Sequence, residues 1–357
     1  GKGETARSAW QEEFESWGTE NPELLKVFSA AIKGQLPEGW SNGLPRFDSP
    51  VATRNASNAI LNEIAKKAPT LISGCADLAG SVKTTIKGGG DMQAGNPVGR
   101  NVNYGVREHA MAAIINGMTL HGGVRAVGGT FLIFSDYCKP SLRLAALMKC
   151  PSVFLFSHDS IGLGEDGPTH QPVEQAMALR MVPNFNLMRP ADGNETAVCW
   201  KIALESKETP SAILLTRQDV PSVSPEPTNG HPAEKGAYVL SPAKGKPKLI
   251  LVATGSEVGL ALESKSALES KGVPTSVVSM PSWFIFEAQD AKYQSSVFPK
   301  GVPVVSIEAG TTLGWERYAD ACVGLDHFGA SAPSERLFSE FGFTVENVVA
   351  KASALLK

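Results

Sequence analysis

At 357 residues, with 33 basic and 36 acidic side chains, the chain carries a formal net charge of −3 at pH 7. That balance creates no global field for nucleic acid or an acidic membrane surface, so any anionic ligand must be held by local donors. At about 100–200 residues per domain, and with 42% hydrophobic residues, the length suits two α/β domains.

Residues 1–49 are polar, with Trp10, Phe14, Trp17, Leu24, Leu25, Phe28 and Ile32 spaced so that one or two helices pack on a neighbour. Asn21-Pro22-Glu23 is a helix start, since proline fits the first turn. Pro37-Glu38-Gly39 and Gly43-Leu44-Pro45 then break the pattern. The expectation is a helical lead-in without a core of its own.

Residues 50–235 read as a first α/β domain. Arg54–Lys67 has Ile60, Leu61, Ile64 and Ala65 at helical spacing, Thr70–Ser73 is a short strand, and Glu108–Leu120 is an apolar helix. Ser152–Ser157 and Ile213–Thr216 read as buried strands, and residues 219–235, rich in proline, serine and glutamate, as a linker. Residues 236–357 repeat the α/β alternation. Strand 248–253 leads through Thr254-Gly255-Ser256 into a helix over 258–268, followed by strands 275–279 and 304–307 and a helix from Val345. Short apolar strands between helices predict mainly parallel sheets covered on both faces.

Five scattered cysteines without CxxC spacing are no disulfide framework and suit a reducing compartment. The longest apolar runs fall far short of the roughly 20 residues that span a bilayer. Gly1-Lys2-Gly3-Glu4 shows no basic-then-apolar signal region. The chain is expected to be cytoplasmic, with a processed organelle form left open.

Four constellations carry chemistry. The densest is Ser157-His158-Asp159-Ser160-Ile161-Gly162-Leu163-Gly164-Glu165-Asp166-Gly167-Pro168-Thr169-His170-Gln171-Pro172, at a strand's C-terminal end, where open parallel sheets bind ligands. It is either a capped, solvated turn or a sugar-hydroxyl site whose imidazoles and carboxylates bond and move protons. Glu108, before an apolar helix, is either a charge favoured by the helix dipole or, if enclosed by apolar groups, an acid–base residue. Phe131, Phe134 and Tyr137 fall at i, i+3 and i+6, on one helical side, as core packing or as an aromatic wall for a flat heterocycle. Arg54 and Arg217 are either solvated or a phosphate fork.

Asp77-Leu78 with Ser81, Gly105–Glu108, Gly129-Thr130-Phe131, His158–Pro172, Arg217-Gln218, Ala253–Val258 and Phe328–Pro333 follow one another in this order. Together they resemble transketolase over nearly the whole chain. The 158–172 run is highly specific, whereas the turn at Gly255 alone is weak. The resemblance implies a thiamine diphosphate-binding, pyrimidine-type domain followed by a transketolase C-terminal-like domain. It also implies transfer of a two-carbon ketol unit between ketose and aldose phosphates, in the pentose phosphate pathway, by a homodimer.

On this resemblance Glu108 hydrogen-bonds N1′ of the aminopyrimidine. A proton given there lets the 4′-nitrogen strip the thiazolium C2 proton. Phe131, Phe134 and Tyr137 surround the pyrimidine, and Asp77 lies near the cofactor ring. Arg54, Ser81 and Arg217 bind the terminal phosphate with His158 alongside, Asp166 reads a donor hydroxyl, and His170 sits near the reacting carbonyl. A related thiamine diphosphate enzyme would keep the glutamate, but the 158–172 loop looks specifically like transketolase.

Cys75 and Gly80 depart from the serine and proline frequent in the family, and Gly88-Gly89-Gly90 opens an altered connection. The GDG motif that binds the divalent metal, magnesium or calcium, does not occur; the nearest strings are Glu165-Asp166-Gly167 and Ala191-Asp192-Gly193. The expectation is therefore a half-enzyme that supplies no metal ligand. It would need an N-terminal diphosphate-binding domain or subunit; the alternative is an inactive dimerisation or regulatory fragment.

Overall fold

In the computed structural model, which describes residues 1–356, two sheets carry the fold. The first holds six parallel strands in the spatial order Asn101–Asn103, Leu71–Cys75, Arg125–Phe131, Val153–Ser157, Ser211–Leu215, Asn186–Met188. Alternation along one strand shows why it is buried on both faces. Phe154 and Phe156 enter one core, and Val153 and Leu155 enter the other. The second sheet runs Ala321–Val323, Val304–Ile307, Leu249–Ala253, Thr275–Ser279, Tyr238–Ser241, the last strand antiparallel. Here Leu249, Leu251 and Ala253 face one core and Ile250 and Val252 the other.

Helices Lys2–Glu20 and Pro22–Ile32 form the lead-in, the second starting on its proline as expected. They pack on each other through Phe14, whose ring lies 5.0 Å from Trp10, 5.7 Å from Trp17 and 5.5 Å from Phe28. Residues 219–235 are not a free spacer. Asp219–Val220 pairs with Val51–Ala52, and the Asp192 carboxylate accepts from Val223 N, Ser224 N and Ser224 Oγ, each at 2.7 Å. Asp192 also caps the helix Gly193–Glu205, so one carboxylate fixes a helix start and the tether beside it.

A glycine sets the approach of a helix that matters below. A Cβ on Gly128, in the strand Arg125–Phe131, would lie 2.1 Å from Ile115 Cδ1. Its absence lets the helix Glu108–His121 press onto the sheet, which fixes where that helix begins.

The two units share fully buried polar side chains. Glu195 accepts from Tyr238 Oη at 2.8 Å and Ser279 Oγ at 2.6 Å, both in the second sheet, and from Ala191 N at 2.8 Å. Burial and the Asp192 charge push the Glu195 carboxyl from 4.5 up to about 7 despite those bonds. A raised carboxyl favours the folded state fully below about pH 4.5, and that contribution is lost as pH rises toward 7. Glu195→Gln, which cannot ionise, is therefore expected to gain stability relative to the parent across this window, by up to about 3 kcal/mol. Urea unfolding at each pH reads the difference; a difference that does not change with pH contradicts the assignment.

Candidate active site

Most candidate residues follow the C-terminal end of a strand or lie near a helix start. Chain order in the first sheet reverses between Leu71–Cys75 and Arg125–Phe131, the switch point where ligands bind in such sheets. There Cys75, Val82 and Phe131 pack together with Leu78, Ala79, Ile133 and Phe134.

His158 is the centre of the group. It is 3% exposed, with left-handed backbone at φ +59°, a conformation costing about 1–3 kcal/mol that functional sites retain. Its ring lies 3.7 Å from that of Phe131, and its Nδ1 is 2.8 Å from Ser157 Oγ. Burial, followed by the charges of Arg54, Arg217 and His170, pushes the imidazole down to about 3. At neutral pH it is uncharged, with one ring nitrogen a donor and the other an acceptor. His170 stands edge-on to Phe131 at 6.2 Å and to Phe134 at 5.6 Å, its Nδ1 2.9 Å from Thr169 Oγ1.

Arg54 donates from Nη1 to the Ser81 carbonyl at 3.0 Å, a bond to the backbone rather than the hydroxyl. Its Nε is buried without a partner. Burial and the Arg217 charge lower its affinity for the proton, and Asp219 offsets part of this. Two guanidinium charges thus act on one neutral imidazole, and guanidinium geometry suits a phosphate.

Glu108 is the first residue of its helix and 9% exposed. Burial, with the Glu108 charge second, pushes the Cys138 thiol up to about 12. The helix that Glu108 opens is tied to the helix Ser135–Leu147, where Ser141 Oγ donates to the His109 carbonyl at 3.2 Å.

One expectation is corrected. Phe131, Phe134 and Tyr137 do not share one helix side: Phe131 ends a strand, Phe134 lies in the short turn Leu132–Phe134, and Tyr137 is in the helix Ser135–Leu147. Their rings still form a ladder, 5.8 Å from Phe131 to Phe134 and 6.0 Å from Phe134 to Tyr137. Spacing alone could not show that a strand-to-helix junction breaks the period. Tyr137 is 65% exposed. Asp77, at φ +61°, and Asp166 are exposed on their loops.

Two residues outside the expected site belong to it. Both polar atoms of the Gln218 side chain are buried without a partner, pressed against Gly162. Arg189, 2% exposed, ties Asp159 to the second unit at 2.9 Å. Gln218 stands beside Arg217 in the sequence, whereas Arg189 carries no local signal because its acceptors lie 30 to 68 residues away. Among the described residues no group of three His, Cys, Asp or Glu side chains is placed to hold a metal ion, and no helix is long and apolar enough to cross a membrane.

The family model for the transketolase pyrimidine-binding domain matches residues 49–223, and that for the transketolase-like C-terminal domain matches residues 236–344. A transketolase of Geobacillus stearothermophilus is 49% identical over 362 residues, covering 99% of this chain and 54% of the relative. One from Bacillus subtilis is 48% identical over 364 residues, with the same coverage of 99% and 54%. The solved transketolase from Leishmania mexicana superposes at a TM-score of 0.94 with 42% identity, over 99% of this chain and 52% of that one. A split-gene transketolase, described as an inactive β4 tetramer, gives a TM-score of 0.70 at 25% identity, over 85% of this chain and 98% of that one. The chain spans about half the length of the curated relatives it matches.

Proposed function

The chain belongs to the transketolase family, and from that premise we propose that it is the pyrimidine- and substrate-binding half of a ketol transferase. Completed by a diphosphate-binding domain or subunit, it moves a two-carbon unit from a ketose phosphate to an aldose phosphate, as a dimer, in the pentose phosphate pathway. Alone it is inactive. The observation that supports this reading is that His158 and His170 lie against Phe131 and Phe134, with the charges of Arg54 and Arg217 acting on His158.

The residues present fit thiamine diphosphate on its pyrimidine side: stacked rings for a flat heterocycle and a mostly buried carboxylate at the start of the helix Glu108–His121. Bound there, that cofactor supplies the nucleophilic carbon and electron sink for breaking and remaking the carbon–carbon bond. Glu108 holds a proton at N1′, Phe131, Phe134 and Tyr137 position the ring, and Asp77 borders it. The diphosphate and its magnesium or calcium ion are assigned to the other half.

On the substrate side Arg54 and Arg217 grip the terminal phosphate, with Ser81 beside them. Neutral His158 gives a hydrogen bond without competing for that phosphate as a third cation. Asp166 reads a sugar hydroxyl and His170 moves a proton at the reacting carbonyl oxygen. The exposed Ile114, Leu120, Leu144 and Leu147, on the two helices that flank Glu108, are where the other half is assigned to pack. Five free cysteines agree with a cytoplasmic location, or an organelle after processing.

Arg217→Ala in the completed assembly tests the substrate assignment. Losing charge-assisted bonds of about 1.5–3 kcal/mol should raise KM for the ketose phosphate roughly 10- to 150-fold, with kcat little changed. An unchanged KM would remove Arg217 from the phosphate site.

A further inference from the structure

We propose that the C-terminal unit belongs to the substrate-recognition apparatus, holding the histidine loop 158–171 in shape through two separate clamps. What the loop binds rests on the function proposed above; the clamps themselves do not.

The outer clamp grips the arm that carries Asp166 and His170. Gln171, 1% exposed, donates from Nε2 to the carbonyls of Gly164 and Ala330, each at 2.9 Å. Ser331 Oγ donates to the Glu165 carbonyl at 2.5 Å. Gly329 approaches so closely that a Cβ there would lie 1.7 Å from Gln171 Oε1. Residues 329–331 thus form a floor under the loop, between the strand Ala321–Val323 and the helix Ser334–Glu340.

The inner clamp grips the root. Asp159 follows the left-handed His158 and pairs with Arg189 Nε at 2.9 Å. Arg189 Nη1 donates to the Thr254 carbonyl at 3.1 Å, to Thr254 Oγ1 at 3.0 Å and to Glu257, all in the second unit. Glu308 joins the same knot, accepting two bonds of 2.7 Å from Arg180 and one of 2.8 Å each from Thr254 Oγ1 and Trp315 Nε1. Glu257, at the start of the helix Glu257–Ser270, and Thr254 therefore brace, through Arg189, the backbone that aims His158. Arg189, Glu257, Gly329 and Ser331 are positioning residues, since they act through Asp159 and Gln171.

The outer clamp can be loosened without emptying a core. Ser331→Ala removes one hydrogen bond, and Gly329→Ala displaces Gln171. Hydrogen exchange of the chain should quicken across residues 160–171 by about fivefold or more, the equivalent of one bond. The helix Glu108–His121 should keep its protection. In the completed assembly KM for the ketose phosphate should rise about five- to tenfold, with kcat within about twofold, a split that general loss of folded protein does not produce. Ser331→Thr, which keeps the hydroxyl, should restore both readouts. Glu257→Gln probes the inner clamp and should move KM in the same direction.

Unchanged protection of 160–171 in both outer-clamp variants overturns the clamp. Faster exchange with an unchanged KM overturns its part in recognition. If the completed parent assembly transfers no ketol unit, the proposed function fails instead, and the exchange measurement still decides the clamp.

Discussion

Glutamine in place of Glu108 is expected to lower ketol transfer in the completed assembly by about 10²–10⁴-fold, the range for one positioned acid–base group. The side chain opens the helix Glu108–His121 and is mostly buried, with the absence of a Cβ at Gly128 fixing how deeply that helix seats. Glutamine keeps the volume and the helix start but can neither give nor take the proton. Because the group is assigned to the cofactor rather than the sugar, kcat should carry the loss and KM should stay within about threefold. Unfolding in urea should match the parent, which separates lost chemistry from lost fold.

The second large effect is on stability. Arg189→Met should cost about 3–5 kcal/mol, because it strands Asp159 and Glu257 as buried charges. Burial works against the Arg189 charge, yet Glu257, Asp159 and Glu308 hold the guanidinium firmly protonated. Burial likewise pushes the Glu308 carboxyl up, but Arg180 and Arg189 outweigh it and bring it down to about 2. The exposed pair Lys149–Glu208, at 3.0 Å, is the control: removing it should cost no more than about 1 kcal/mol. Denaturation midpoints of the two variants measure the contrast. Equal losses would contradict the weight given to the buried knot.

Much of this architecture was readable from the residues. Apolar runs of five, such as Leu249–Ala253, fixed strands because both faces need covering, and Pro22 marked a helix start. The 158–172 run stood out because a polar, glycine-rich stretch follows a wholly apolar strand. The charge state of His158 was not readable, since it depends first on burial and then on Arg54 and Arg217, about 100 and 60 residues away in sequence. Arg189 and Glu195 were missed for a similar reason: their acceptors and donors lie across the joint between the two units. Periodicity misled at Phe131–Tyr137, where a helical interval spans the end of a strand.

As proposed, this chain supplies the proton-handling and phosphate-gripping half of a two-part site. Its most direct measurement mixes the chain with thiamine diphosphate, magnesium, a ketose phosphate and an aldose phosphate, with and without a diphosphate-binding half. Ketol transfer should arise only in the complete mixture and collapse when Glu108→Gln replaces the parent. A Glu108→Gln mixture as active as the parent, or an assembled complex that transfers nothing, would contradict the account.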